Sequence, residues 1–176
     1  MWLRIGNLLA RFRKARKGVA AVEFALVAGP LLFVIGCIVE TGLMLFTEYQ
    51  LQNAVQTSGR LIRTGELSSG GTPVNRAQFV QEFCKTATGL RNCNTSLNLY
   101  VQDAADFTTL AASGVAPLTV GPATATFSPG KGGRAVLMIA TYDWRFVFPF
   151  MNIFANTADG SFRRLQGITT FRNEPF

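Results

Sequence analysis

Few residues in this sequence have types and spacing that could support chemistry, and the sharpest set surrounds one glycine. Gly18 follows a basic block containing Arg11, Arg13, Lys14, Arg16 and Lys17. It precedes an apolar run, VAAVEFALVAGPLLFVIGCIV, that holds a single ionisable side chain, Glu23, five positions on. The chemistry this suggests is done to the chain and not by it. Hydrolysis after Gly18 would free an α-amine on Val19, one helical turn from Glu23. An ionised side chain at the centre of a bilayer helix costs about 2.5–3.5 kcal/mol on insertion scales and less near the edge, so such a residue needs a partner. The Val19 ammonium, on the same chain or a neighbouring copy, is one partner. The other reading has Glu23 snorkelling to the interface to meet Lys17 or Arg16. A secretory signal peptide would need a small-x-small site after the apolar run. The run ends instead in Ile38-Val39-Glu40-Thr41-Gly42. The apolar segment is therefore retained, either as an uncleaved signal anchor or with a cut at Gly18 on the cytoplasmic side.

The remaining candidates are weaker. Cys84 and Cys93 lie nine positions apart, and in an oxidising compartment they form the natural disulfide pair; otherwise they are two separate thiols. Cys37 sits inside the apolar run. Without histidine, and with no Cys-x-x-Cys, no metal site and no cofactor are expected. Pro129-Gly130-Lys131-Gly132-Gly133 contains Gly-Lys, but no Ser or Thr follows the lysine, so it is not a phosphate-binding loop and reads as a hairpin loop. Asp103 and Asp106 are three apart and read as loop-end residues. No enzyme activity is expected.

The elements that hold these residues follow from charge and periodicity. The 176-residue chain is 48% hydrophobic and 15% charged, which suits one spanning helix plus a small domain. Its net charge is +7, but six basic residues (Arg4 with the block above, no acid among them) precede Gly18, leaving the rest near +1. The basicity belongs to a leader and not to a folded surface, which argues against nucleic-acid binding. Beside a spanning helix it is an orientation signal, with leader cytoplasmic and remainder exported. Residues 1–18 are a leader, either a short amphipathic surface helix or disordered. Residues 19–39 cross the membrane, since about 20 apolar residues span a bilayer core. Pro30 is tolerated there, and Gly29, Gly36 and Gly42 would allow close helix approach.

The helix is expected to continue to residue 64. Val39, Leu43, Phe46, Leu51, Ala54, Val55, Ser58 and Ile62 form its apolar stripe, with Glu40, Glu48, Gln52, Gln56 and Arg60 on other faces. The cluster Ser68 to Pro73 stops it. A second helix over 76–88 would be capped by Asn75 or Thr72 and ended by Gly89. Strands are expected around Leu97–Val101, from Arg134 to Phe148, and over Leu165–Phe171. The fold is thus α+β: a long N-terminal transmembrane helix over 19–64, then an antiparallel sheet domain with one packed helix over 65–176.

KGVAAVEFALVAGPLLF resembles the N-terminus of TadE-like pseudopilins, minor components of the Tad (Flp) pilus, a type IV–related secretion and adhesion apparatus. RNEPF (Arg172 to Phe176), and a strand followed by an aromatic turn at Tyr142, Asp143 and Trp144, also resemble that family. The resemblance implies cleavage after Gly18 by a prepilin peptidase, possible methylation of Val19, and Glu23 as the glutamate that aids processing or assembly. It implies as partners other pilins, the inner-membrane assembly platform and the lipid bilayer, with the C-terminal domain periplasmic. Major pilins of this system carry Glu-Tyr where this chain has Glu23-Phe24, and they are much shorter. TadF-type relatives have a similar size. The rival to a pseudopilin is an uncleaved, membrane-anchored periplasmic binding module.

Overall fold

The computed structural model describes residues 18–67, 74–114, 126–148, 150–158 and 160–175. The chain divides into two units, Met1–Glu40 and Thr41–Phe176. One helix, α1 (Val19–Arg63), supplies the described part of the first unit and opens the second. It continues through Pro30 and ends with Arg60 and Arg63 in its last turn, where cations complement the helix dipole.

Among its described residues the second unit holds a three-stranded antiparallel sheet in the order β1-β2-β3, with β1 (Leu97–Ala104), β2 (Ala135–Trp144) and β3 (Arg163–Arg172). Leu97 faces Tyr142 across the first pair, and Ile139 faces Ile168 across the second. Alternation sorts the strands onto two faces. Leu97, Leu99 and Val101 join Val136, Met138, Ala140, Tyr142 and Leu165 in the main core. Leu51, Ala54, Val55 and Ile62 of α1 pack into the same core. So do Phe79 and Phe83 of α2 (Arg76–Thr86). Full burial of each such phenylalanine contributes about 1.5–3 kcal/mol. On the opposite face Ala135, Leu137 and Ile139 pack with Ala104 and Leu110.

The helix caps follow from side-chain chemistry. Asn75 caps α2 by accepting the Gln78 N–H at 2.9 Å. The helix ends at Thr86, before Gly89, because its C-cap Ala87 leaves the helical region with φ −84° and ψ 55°. Thr72 and the stop cluster 68–73 lie outside the described residues. Two short helices were not expected: α3 (Cys93–Ser96) and α4 (Phe107–Ala112). Asp106 caps α4 by accepting the Thr109 N–H at 2.7 Å. That amide and the Thr109 hydroxyl hold the Asp106 carboxyl below the usual carboxylate range.

Four further expectations are corrected. The apolar stripe of α1 holds from Leu51 to Ile62 but not before it. Val39, Leu43 and Phe46 are exposed, and Met44 and Thr47 are buried in their place. The Thr47 hydroxyl donates to the Leu43 carbonyl at 2.8 Å, which lets a polar side chain face inward. Glu40, expected on a face other than the apolar stripe, is only 4% exposed. Tyr142, Asp143 and Trp144 are not a turn but the last three residues of β2, paired with Leu165, Arg164 and Arg163. Nor does residues 129–133 form a hairpin loop between neighbouring strands. Phe127 bridges Val101 in parallel on β1, while β2 pairs with β1 antiparallel, so residues 129–133 cross the end of β1.

The close seating of α1 on β3 depends on small residues. A Cβ at Gly167 would lie 2.9 Å from Val55 Cγ2 and 3.3 Å from the Leu51 carbonyl oxygen. A Cβ at Gly59 would lie 3.0 Å from Thr169 Cγ2. That approach brings Gln52 onto the strand, where its amide donates to the Ile168 carbonyl at 3.1 Å and accepts the Ile168 N–H at 3.0 Å. The edge of β3 is thereby satisfied by a side chain at this position and is not left open for another strand.

Candidate functional site

The expected processing site begins where α1 begins. Gly18 immediately precedes Val19, the first helical residue. Nothing lies within 4 Å of a Cβ built at Gly18, and Val19 is exposed. Glu23 is exposed one turn further on. On a helix, residues four apart share a face, so an amine on Val19 and the Glu23 carboxylate belong to one side of α1. Carboxylates near a helix N-terminus are also favoured by the dipole. The basic residues Arg11, Arg13, Lys14, Arg16 and Lys17 lie outside the described residues. Behind the junction, α1 is long and apolar enough to cross a membrane. Its side chains are presented outward there, Phe24 at 74% exposure among them. An apolar surface of this kind needs lipid or other helices around it.

Residues 18–60 match the family model of TadE-like proteins. This segment is TadE-like. The match covers about a quarter of the chain and points to a protein related to the Tad pilus. No curated protein and no solved structure matches the chain.

Beyond the TadE-like segment, the C-terminal motif has a structural role that its sequence did not disclose. Arg172 Nε donates to the Gly133 carbonyl at 2.8 Å. Asn173, almost fully buried, donates through Nδ2 to the carbonyls of Pro129 at 2.9 Å and Lys131 at 3.1 Å. Its own N–H meets the Arg134 carbonyl, and its carbonyl accepts from Gly133. The Glu174 N–H bonds the Arg63 carbonyl at 2.9 Å, and its carboxylate pairs with the Arg63 guanidinium at 3.2 Å. The motif therefore clamps residues 129–133 and the C-terminal end of α1 together. Asp103 holds the same loop from the other side. It accepts from Ser128 Oγ at 2.5 Å and from the Arg134 guanidinium. Gly130 takes a φ of +72° directly against Asp103, where a Cβ would come within 2.9 Å. That engagement accounts for Asp103 structurally, as capping accounts for Asp106.

Asn173→Ala removes both side-chain donors from the loop carbonyls. Losing a partner of a buried polar group costs about 1–3 kcal/mol. The expected result is a loss of stability in that range, read by denaturant unfolding, with membrane insertion unchanged.

Cys84 and Cys93 are joined as a disulfide with their Cα atoms 5.8 Å apart, tying the last turn of α2 to the first residue of α3. A loop this short contributes about 2–3 kcal/mol in the chain-entropy account. Cys37 lies within α1 and is half-buried. An open cleft of about 740 Å³ lies beside the clamped loop, lined in part by Val74, Arg76, Phe127 and Lys131. Among the described lining residues the one carboxylate is Asp103, which is engaged. Among the described residues, no three His, Cys, Asp or Glu side chains gather as a metal site.

Proposed function

We propose that this chain is a minor pseudopilin, a structural and assembly component of a Tad (Flp) pilus, cut after Gly18 by a prepilin peptidase. One observation carries the reading. The TadE-like match begins at Gly18 and α1 begins at Val19, so family resemblance and helix both start at the expected cut. The leader holds the N-terminus in the cytoplasm. The first half of α1 lies in the inner membrane, and the sheet unit faces the periplasm. The mature protein enters the filament or its base by packing α1 among other pilin helices delivered by the assembly platform. Glu23 pairs there with a Val19 ammonium, on its own chain or a neighbour's, which offsets the cost of a carboxylate in hydrocarbon.

The deciding measurement is the N-terminus of the protein in membranes of cells that contain an active prepilin peptidase, by intact mass and terminal sequencing. A chain starting at Val19, with or without a methyl group, is the expected result. A chain still starting at Met1 would leave an anchored periplasmic module as the better account.

A further inference from the structure

The connection between β2 and β3 presents an apolar surface that the pilus reading does not use. Val147 is 82% exposed, and Phe150 and Ile153 are each 78% exposed, with Phe154 half-exposed beside them. The loop is held from below. Met151, the first residue of a 3₁₀ turn (Met151–Phe154), is buried, and Phe146 packs against the main core. Arg163 donates to the Phe154 carbonyl at 3.0 Å. Asn156 exchanges two hydrogen bonds with the backbone of Arg164, at 3.0 and 2.7 Å. Arg164 is itself paired in a fork with Asp143, at 2.7 and 3.1 Å, which raises its guanidinium above the ordinary value. Phe150 takes a φ of +67°, a left-handed conformation uncommon for an aromatic residue. A built base therefore carries large apolar side chains outward, with the exposed Arg145 at the start of the loop.

The place of this loop in the unit indicates what it meets. Leu51 and Val55 sit against Gly167, Gly59 against Thr169 and Phe171, and Arg63 against Glu174, so α1 and β3 run in the same direction. Arg163 is four strand residues before Gly167, about 13 Å. That distance corresponds to roughly nine helical residues. Counted back from Leu51 and Val55, the start of β3, where the loop attaches, is level with about residues 42–46, in the first turns of α1 within this unit, which begins at Thr41.

We propose that the β2–β3 loop is a membrane-contacting element that inserts Val147, Phe150 and Ile153 into the interfacial layer of an anionic bilayer, with Arg145 at the headgroups. Aromatic and aliphatic side chains flanked by arginine suit that layer, apolar on one side and negatively charged on the other. This inference does not depend on processing at Gly18 or on incorporation into a pilus.

The test uses the full chain with Cys37→Ser, its Cys84–Cys93 disulfide intact, reconstituted in vesicles of phosphatidylcholine with phosphatidylglycerol. A nitroxide is placed at Val147→Cys, at Ile153→Cys or, as a reference on the exposed side of α2, at Gln81→Cys. Accessibility to oxygen and to a water-soluble nickel chelate is then measured by spin resonance. The expected result is a preference for oxygen over nickel at 147 and 153 several-fold above that at 81. Nickel access equal to that at 81 overturns the proposal. Low access to both reagents also overturns it, because a protein surface would then cover the loop. Arg145→Glu should weaken the oxygen preference at 153. An unchanged value would overturn the role given to the anionic headgroup.

Discussion

Gly167→Val is expected to destabilise the sheet unit by about 2 kcal/mol, although β-propensity alone points the other way. Valine in place of glycine within a strand is ordinarily favourable by up to about 1 kcal/mol. Here the added Cβ would stand 2.9 Å from Val55 Cγ2 and 3.3 Å from the Leu51 backbone oxygen, and both partners are fully buried. Overpacking of this kind costs about 1–3 kcal/mol, and more when backbone must move. Moving α1 away would also loosen the paired hydrogen bonds from Gln52 to Ile168, a net loss of about 1 kcal/mol each. Thermal unfolding in detergent should show a midpoint lowered by about 5–10 °C, since 1 kcal/mol moves Tm by a few degrees at this size. Gly42→Ala is the contrasting variant. Nothing lies within 4 Å of its Cβ, and alanine is favoured over glycine in a helix by about 1 kcal/mol. A second check is the pair with Val55→Ala, which removes the struck methyl groups. The two substitutions should couple, with the double variant losing less than the sum of the singles. A Gly167→Val protein as stable as the parent would mean that α1 does not sit on β3 this closely.

That contact also shows where the sequence was informative and where it was not. The length and apolarity of α1 were legible because a run of that kind has few competing readings. Leu51, Ala54, Val55, Ser58 and Ile62 were legible as a buried stripe because polar residues separate them. Upstream, Leu43, Met44, Leu45 and Phe46 are apolar in succession, so periodicity could not say which of them faces the core. Thr47 was obscured because its hydroxyl is satisfied within the helix. Strand alternation located β1, β2 and β3, but not the crossing of residues 129–133 over β1, which depends on Phe127 bridging Val101. The helix after Asp106 had a readable signal, an aspartate three residues before an amide it can cap. The same aspartate also fits a loop end, which hides the cap. Gly18, Val19 and Glu23 were singled out as candidates by residue type and spacing. What the geometry adds is that all three are exposed at the start of one helix. The clamp made by Arg172, Asn173 and Glu174 was out of reach, since its partners lie at residues 129–134 and 63, and no local pattern connects positions so far apart.

Gly18→Trp is expected to leave nearly all of the protein uncut, and the structure makes that variant easy to interpret. A Cβ built at position 18 meets nothing within 4 Å, so the substitution is not expected to disturb α1 or the sheet unit. A retained leader would then report recognition by the peptidase and not misfolding, provided the thermal midpoint is unchanged. Mature protein of normal size from Gly18→Trp would refute cleavage at this bond. Glu23→Ala separates the second role of the junction from the first. Removing a carboxylate from the apolar segment makes membrane insertion more favourable by up to a few kcal/mol. Any loss seen with this variant therefore cannot come from poorer insertion. Under the pseudopilin reading, Glu23→Ala inserts fully but is recovered with filaments at a several-fold lower level, because the Val19 ammonium has lost its partner. Glu23→Asp, which keeps the charge on a shorter arm, should recover part of that level. Equal recovery of parent and Glu23→Ala with filaments would remove the charge pair from the account and leave Glu23 as a carboxylate that merely reaches the interface.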